Sequence, residues 1–334
     1  MIMRRTILIL MLCAAGIGVR AQDRDSLLVM FWNMENFFDW TDQGTGESDK
    51  EFSSFGERHW TKSKFYAKCD AIAKSLMWIA DRYGRMPDVI GLAEVENRGV
   101  LDKLLNYTLL RKYDYSIVHR ESGDRRGIDV ALLYRRSSMS LLSKSFRTPV
   151  YQGSLLSTRD ILHAGMKLND GTDMEFIVNH HPSKFGGEKE SEGRRTAAMI
   201  ALKELSDSLH MCGRGNIIAM GDFNDTPDGS QFAVIEGVLE NKGIPLHLKH
   251  RGTIRYKGKW ELIDFFLTSP DLVAEEMEVV KIPFLTTYDK RYPGEKPLRT
   301  YSSPRYIGGV SDHCPIIIKI LLPLEDFRKT SNTK

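Results

Sequence analysis

Cysteine is scarce in this chain, and its spacing is uninformative. The four cysteines are Cys13, Cys69, Cys212 and Cys314. No two form a CxxC and none has a histidine at metal-ligand spacing, which excludes zinc ribbons and thioredoxin-like redox motifs. Loss of Cys13 with a leader would leave an odd three, which argues against a disulfide framework. Cys69, Cys212 and Cys314 each stand in apolar surroundings that suit a small core residue. No apolar run reaches the roughly 20 residues of a membrane-spanning helix, and there is no internal repeat or low-complexity block. An excess of either charge is missing as well, since the formal net charge is +3.

The apolar stretch from Ile7 to Val19 follows Arg4 and Arg5 and leads into Val19-Arg20-Ala21, a small-x-small cleavage pattern. This predicts a Sec signal peptide over residues 1–21, a mature chain from Gln22, and export to the periplasm or beyond. Removing the leader takes away Arg4, Arg5 and Arg20 and no acid, so the formal charge becomes 3 − 3 = 0. The mature chain is then not a polycation. With 42% hydrophobic residues in 334, residues 22–334 can bury the core of a single large domain.

Short apolar runs alternate with amphipathic stretches. Strands are predicted at 27–32, 88–95, 115–119, 130–135, 174–181, 216–223, 261–269 and 314–320. Helices are predicted at 61–83, near 99–110 and at 188–211, where apolar residues recur every three or four positions. The strands are apolar on both sides, so their sheets need cover on both faces. Two packed sheets with helices outside satisfy this.

Several of these strands end in polar residues: Asn33, Glu94, Asn179 and His181, Asp222 and Asn224, Asp264, and Asp312 with His313. Carboxylates are seldom buried unless paired or metal-bound, so such a series at strand ends points to one cleft. In MGDFND, Asp222 and Asn224 share a strand face while Phe223 packs the other way. A carboxylate handles a proton, and a carboxamide donates to an anionic oxygen without adding charge.

In this order the motifs FWNMEN, LAEVEN, RGIDVALLYR, VNHHPSK, GDFND, LIDFFL and GGVSDHCP resemble the endonuclease/exonuclease/phosphatase superfamily, which includes deoxyribonuclease I. The resemblance runs from about Leu27 to Ile320. It implies an α/β protein of the four-layered α/β/β/α sandwich class, and metal-assisted phosphoester hydrolysis. It also implies that Asn33, Glu94 and Asp312 hold Mg²⁺ or Mn²⁺, with Ca²⁺ a further option. Asp264 is expected to orient His313; Asp222 to activate the nucleophile or protonate the leaving oxygen; Asn224 and His181 to steady the phosphate oxygens. Asn179 and Asp129 are weaker additions, Asp129 because it can simply pair with Arg125 or Arg126. Since adjacent histidines on a strand point oppositely, an N-x-H reading places His181 in the pocket and leaves His180 structural.

Two long segments outside the motifs, 41–60 and 283–310, are expected to set the substrate, with Arg299, Tyr301 and Arg305 as contacts. Lys184, Lys189, Arg194 and Arg195, and Lys249 to Lys259 around a hairpin, offer a track for a nucleic-acid backbone. A nuclease is therefore the first expectation. A phosphomonoesterase, phosphoinositide phosphatase or sphingomyelinase-like phosphodiesterase comes second, and a non-catalytic binding protein last. A monomer without a membrane anchor is expected.

Overall fold

Alternation along the first strand sets the order of the layers. In β1 (Ser26–Phe37), Leu27, Val29 and Phe31 enter one apolar cluster, while Leu28, Met30 and Trp32 enter another. The structure, a computed structural model, describes residues 26–322 except 45 and 185, so the expected leader and its cleavage site lie outside the described residues. Further strands are β2 (Val89–Val95), β3 (Tyr115–His119), β4 (Asp129–Arg135), β5 (Met139–Arg147) and β6 (Ile161–Leu168). They continue with β7 (Asp173–His180), β8 (Ile217–Asp222), β9 (Glu240–Asn241), β10 (Asp264–Thr268), β11 (Glu278–Val279) and β12 (Ile316–Leu321).

These form two six-stranded sheets, ordered β11-β12-β1-β2-β4-β3 and β9-β10-β8-β7-β6-β5. One cluster joins the facing sides of both sheets and Met199, Leu202 and Leu209 of the helix Glu188–Met211. The other joins the outer face of the first sheet to Phe65, Ile72 and Ile79 of the helix Lys62–Tyr83 and to Leu101 and Leu104 of the helix Arg98–Tyr107. The result is the α/β/β/α sandwich. The two sheets approach closely at Gly91, where an added Cβ would sit 2.6 Å from Met220 Sδ.

The parallel pairs β1/β2 and β7/β8 each enclose a long helix, because a parallel return needs a crossover. Thr61 starts the first helix by accepting from Lys64 N, and Gly84 ends it at φ 73°. Four strands escape the sequence pattern: the two-residue edge strands β9 and β11, and the longer β5 and β6. β5 exposes much of its length, and β6 carries His163, Gly165 and Lys167, so neither shows a clean apolar run. The predicted strand 261–269 begins later, at Asp264, because Lys259–Glu261 pairs with Ile254–Tyr256 as a hairpin. Cys69 and Cys314 are buried, with burial pushing the Cys314 thiol up to about 12. Cys212, in contrast to the expectation, is exposed at the end of its helix; all three are free thiols.

Candidate active site

Strand register assembles one half of the site. Asp222 in β8 pairs with Asp264 in β10 on one side and with His180 in β7 on the other. Paired residues of neighbouring strands point to the same face, so all three side chains stand abreast at the sheet end. His313 arrives from the loop before β12, and its Nδ1 lies 2.8 Å from Asp264 Oδ2. Thr253 donates its hydroxyl to the same Asp264 oxygen. The backbone holds the ring from behind: Trp32 Nε1 donates to His313 O at 2.9 Å and His313 N donates to Ser311 Oγ at 3.0 Å. The chain turns ahead of this loop, with Gly308 at φ 77°.

The other half is built from irregular backbone. The β1/β2 ladder slips between Asn33 and Phe37, and non-glycine residues Glu35, Asn36 and Glu94 take φ of 45°, 53° and 59°. Such left-handed residues are uncommon, and their clustering marks a site held by its surroundings. Asn33 Oδ1 accepts from Glu35 N at 2.9 Å, stabilising this turn, while its Nδ2 donates to Asp222 Oδ2 at 3.0 Å. One side chain therefore joins the sheets. Asn224, also left-handed, donates its backbone N to Asp222 Oδ1 and its amide to His181 O.

Glu94 accepts from Asn36 N at 2.8 Å and pairs with Arg126 Nη2 at 3.2 Å. Burial works against its charge, but Arg126, the Asn36 N–H and His313 hold its carboxyl below the usual range. Asp312 pairs with Arg299 Nη2 at 3.1 Å and stands 3.8 Å from His313 Nε2. Arg126 and Arg299 are both functional candidates: Arg299 is an expected substrate contact in the 283–310 segment, whereas nothing in the sequence marks Arg126. It is placed by the loop before β4, which Asp129 closes by accepting from Ser122 N at 2.9 Å. Asp129 thus serves the loop and pairs with neither Arg125 nor Arg126.

Electrostatics divides the acids into two kinds. Burial and the neighbouring Asp264 raise the Asp222 carboxyl to about 7. His313 is buried too, which alone would lower its pKa, yet Asp264, Asp222 and Asp312 raise it well above the ordinary value. Ligand atoms of Asp222, Asp264 and His313 lie within 4.8 Å of one another. Their lone pairs are largely spent on one another and on Asn33, Asn224 and Thr253, so they read better as a proton-handling group than as ligands. Glu94 and Asp312 are the hard oxygen donors that fit a divalent cation, and Asn33, expected with them, has its Oδ1 on Glu35 N and its Nδ2 on Asp222.

The histidine pair departs from the sequence expectation. His180, not His181, faces the site, with Nε2 3.6 Å from Asp222 Oδ2. His181 lies one residue beyond the strand with its ring edge-on to Phe223 at 5.0 Å, neither ring nitrogen bonded, and burial with Arg159 and Arg195 lowers it to about 3. What His181 does give is its carbonyl, to Arg159 and Asn224. Asn179 is buried behind the site and donates to Met220 O. Tyr301 is buried, its hydroxyl spent on Arg58 O, and Arg305 is exposed at the tip of a short hairpin. A cavity of about 670 Å³ lined by Arg82, Arg251, Trp260 and Lys281 holds none of these groups.

A family model described as Endonuclease/Exonuclease/phosphatase family matches residues 28–321. No curated protein matches. Similar solved structures include an endonuclease/exonuclease/phosphatase family protein of Bacteroides thetaiotaomicron, with 18% identity, 90% of this chain and 99% of that one covered, and TM-score 0.57. Another is a mannosyl-6-phosphatase of the same organism, with 17% identity, 89% and 100% covered, and TM-score 0.55. A third is D. rerio TDP2 complexed with single strand DNA product, with 17% identity, 88% and 98% covered, and TM-score 0.52. At such identities the likeness is one of fold.

Proposed function

Because the chain belongs to the endonuclease/exonuclease/phosphatase family, we propose that it is an exported, divalent-metal-dependent hydrolase of phosphoesters. The observation that carries this reading is the union of two opposed groups in one cleft: the Asp222, Asp264 and His313 cluster, and the carboxylates Glu94 and Asp312 beside it. Glu94 and Asp312, with Asn33, would hold Mg²⁺ or Mn²⁺. When bound, the cation supplies Lewis-acid polarisation of a phosphoryl oxygen.

The chain's own residues do the rest. Asp264 fixes the His313 ring by accepting a hydrogen bond from Nδ1–H, which keeps the proton on the imidazolium and leaves Nε2–H to face the phosphate. Asp222, with its pKa near neutrality, accepts the proton of the attacking water or returns one to the leaving oxygen. Arg126 and Arg299 are placed to donate to phosphate oxygens, a geometry that suits the planar guanidinium.

The pairing of several basic residues supports a different order of substrates from the one expected. Lys184 is held by Asp225, Arg195 is buried beside it, Lys249 is paired with Glu276, and Arg255 donates to Tyr292 O. A compact phosphoester therefore comes first. A nuclease is the second reading, favoured by exposed Arg251, Lys257 and Lys259 around the hairpin. Purified protein with Mg²⁺ or Mn²⁺ is assayed on p-nitrophenyl phosphate, bis(p-nitrophenyl) phosphate, DNA and RNA. Hydrolysis abolished by chelator supports the reading; full activity in excess chelator overturns metal dependence. Binding that falls steeply with salt would favour the nuclease. Export is tested by mass spectrometry in the native host, where a chain retaining Met1 would refute cleavage before Gln22.

A further inference from the structure

A second cavity, of about 220 Å³, shares a wall with the proposed metal site and is lined by Glu35, Asn36, Phe52, Arg58, Arg299, Thr300, Tyr301 and Ser303. Two of its residues connect it directly to the chemistry: the Asn36 N–H binds Glu94, and Arg299 pairs with Asp312 while its Nε donates to Glu35 Oε1 at 2.8 Å. We propose that this cavity seats the alcohol half of the substrate, and that this half is a single hydroxyl-rich ring or short polyol, so that the enzyme cleaves sugar or polyol phosphates. The inference rests on the phosphoester-hydrolase reading and specifies the substrate of that site.

Size is the first argument. Pockets for drug-sized ligands run to roughly 300–1,000 Å³, so this cavity takes one ring and not a duplex or an acyl chain. Construction is the second. The two long segments that border the cavity, 41–60 and 283–310, are braced together by several contacts: Arg58 Nη1 donates to Ser303 O at 2.6 Å, Tyr301 donates to Arg58 O at 2.9 Å, and Phe52, Trp60, Tyr301 and Tyr306 pack as one aromatic group. Below, buried Lys68 ties Glu35 O to Thr300 Oγ1 at 2.6 and 3.0 Å. A wall so braced is a formed surface.

Donor balance is the third argument. A second phosphate would call for donors alone, and an apolar tail for neither donors nor a carboxylate. Here a carboxylate, Glu35, whose two oxygens accept from Arg299 Nε and Thr300 N and keep one lone pair each, and a two-way amide, Asn36, stand among guanidinium donors, of which Arg58 is only partly used by Glu51 and Ser303. Hydroxyls, each a donor and an acceptor, match such a mixed lining. In the reaction the water oxygen bonds to phosphorus, the bond from phosphorus to the sugar oxygen breaks, and that oxygen takes a proton and leaves as the alcohol.

The test compares kcat/KM for glucose 6-phosphate, myo-inositol 1-phosphate and glycerol 3-phosphate with n-hexyl phosphate, which lacks hydroxyls, under Mg²⁺. At least one of the three is expected to exceed n-hexyl phosphate about tenfold or more, since unpaired polar groups in a site penalise the bare analogue. Arg58→Met and Asn36→Gly are expected to cut that ratio about tenfold, chiefly through KM. Asn36→Gly is the safer variant, because glycine keeps the φ of 53° without strain and retains the N–H to Glu94. A wild-type ratio near one, a ratio that neither variant moves, or faster turnover of DNA overturns the subsite while leaving phosphoester hydrolysis standing. Hydrolysis of none of these esters with Mg²⁺ or Mn²⁺ sinks both.

Discussion

On the second sheet, Asp222, Asp264 and His180 stand abreast because ladder pairing puts them there, and a shift of one residue would turn all three away. On the first sheet, Glu94 is the bulged residue of β2 at φ 59°, and Asp312 sits in a loop, each beside an arginine supplied by another loop. The first arrangement is set by regular structure and the second by ion pairs and strained turns. On the proposed function, the second-sheet group is preorganised for proton handling, whereas the first-sheet group is held by ion pairs that a cation and a phosphate would replace.

The largest expected effect falls on His313, which comes from the loop before β12 but is held at 2.8 Å by Asp264 of the second sheet. Loss of a positioned acid–base group costs about 10²–10⁴ in rate, so His313→Ala is expected to lower kcat by that factor with the fold and the metal half-saturation unchanged. Asp264→Asn is expected to cost less, and the double variant little more than His313→Ala alone, because residues acting as a unit are not additive. Multiplicative losses measured by steady-state kinetics would mean the pair does not act together.

The first-sheet group responds in a different parameter. Glu94→Gln removes an anionic oxygen from the set that fits the cation and is expected to raise the metal concentration for half-maximal rate by about 10–100-fold, read by metal titration of activity. Arg126→Met is expected to act more mildly: without its guanidinium the Glu94 carboxyl titrates higher, and the acid limb of the pH–rate profile moves upward. If His313→Ala shifted the metal requirement as strongly as Glu94→Gln does, the two halves would not be separate devices.

The same division explains what could be read in advance. Both long helices, most strands and the acids at strand ends follow from periodicity of 3.6 and 2, and paired strand ends converge once a parallel or antiparallel neighbour is in place. Arg126 is illegible because its position depends on a loop pinned by Ser122, Asp129 and the backbone of Glu47 and Ser48, contacts remote in sequence. Asn33 and Glu94 also have ordinary structural duties, since Asn33 Oδ1 accepts from Glu35 N in the turn and Glu94 pairs with Arg126. The choice between His180 and His181 rests on register, which pairs His180 with Asp222 and so puts Asn179 and any continuation through His181 on the other face; a single strand's sequence does not contain that register.

That pair of histidines yields the smallest effect and the sharpest contrast with His313. Both His181 nitrogens are buried without partners and its ring packs on Phe223, so the neutral form is the one that fits the fold. Its pKa falls from 6.5 to about 3, first through burial and then through Arg159 and Arg195. Between these values the unfolded chain binds a proton that the folded chain refuses, so stability drops as pH falls through that window, at up to about 1.4 kcal/mol per pH unit for one such group. Phenylalanine keeps the edge-on packing and removes the titration. His181→Phe is therefore expected to leave kcat near wild type at neutral pH and to flatten the loss of stability between pH 6.5 and 4.5, measured by denaturant unfolding at each pH. His180→Phe would place an apolar ring beside Asp222 and is expected to impair catalysis as well. A His181→Phe enzyme that lost activity as His313→Ala does, with an unchanged pH slope, would return His181 to the catalytic group and remove the reading of β7 given by its register.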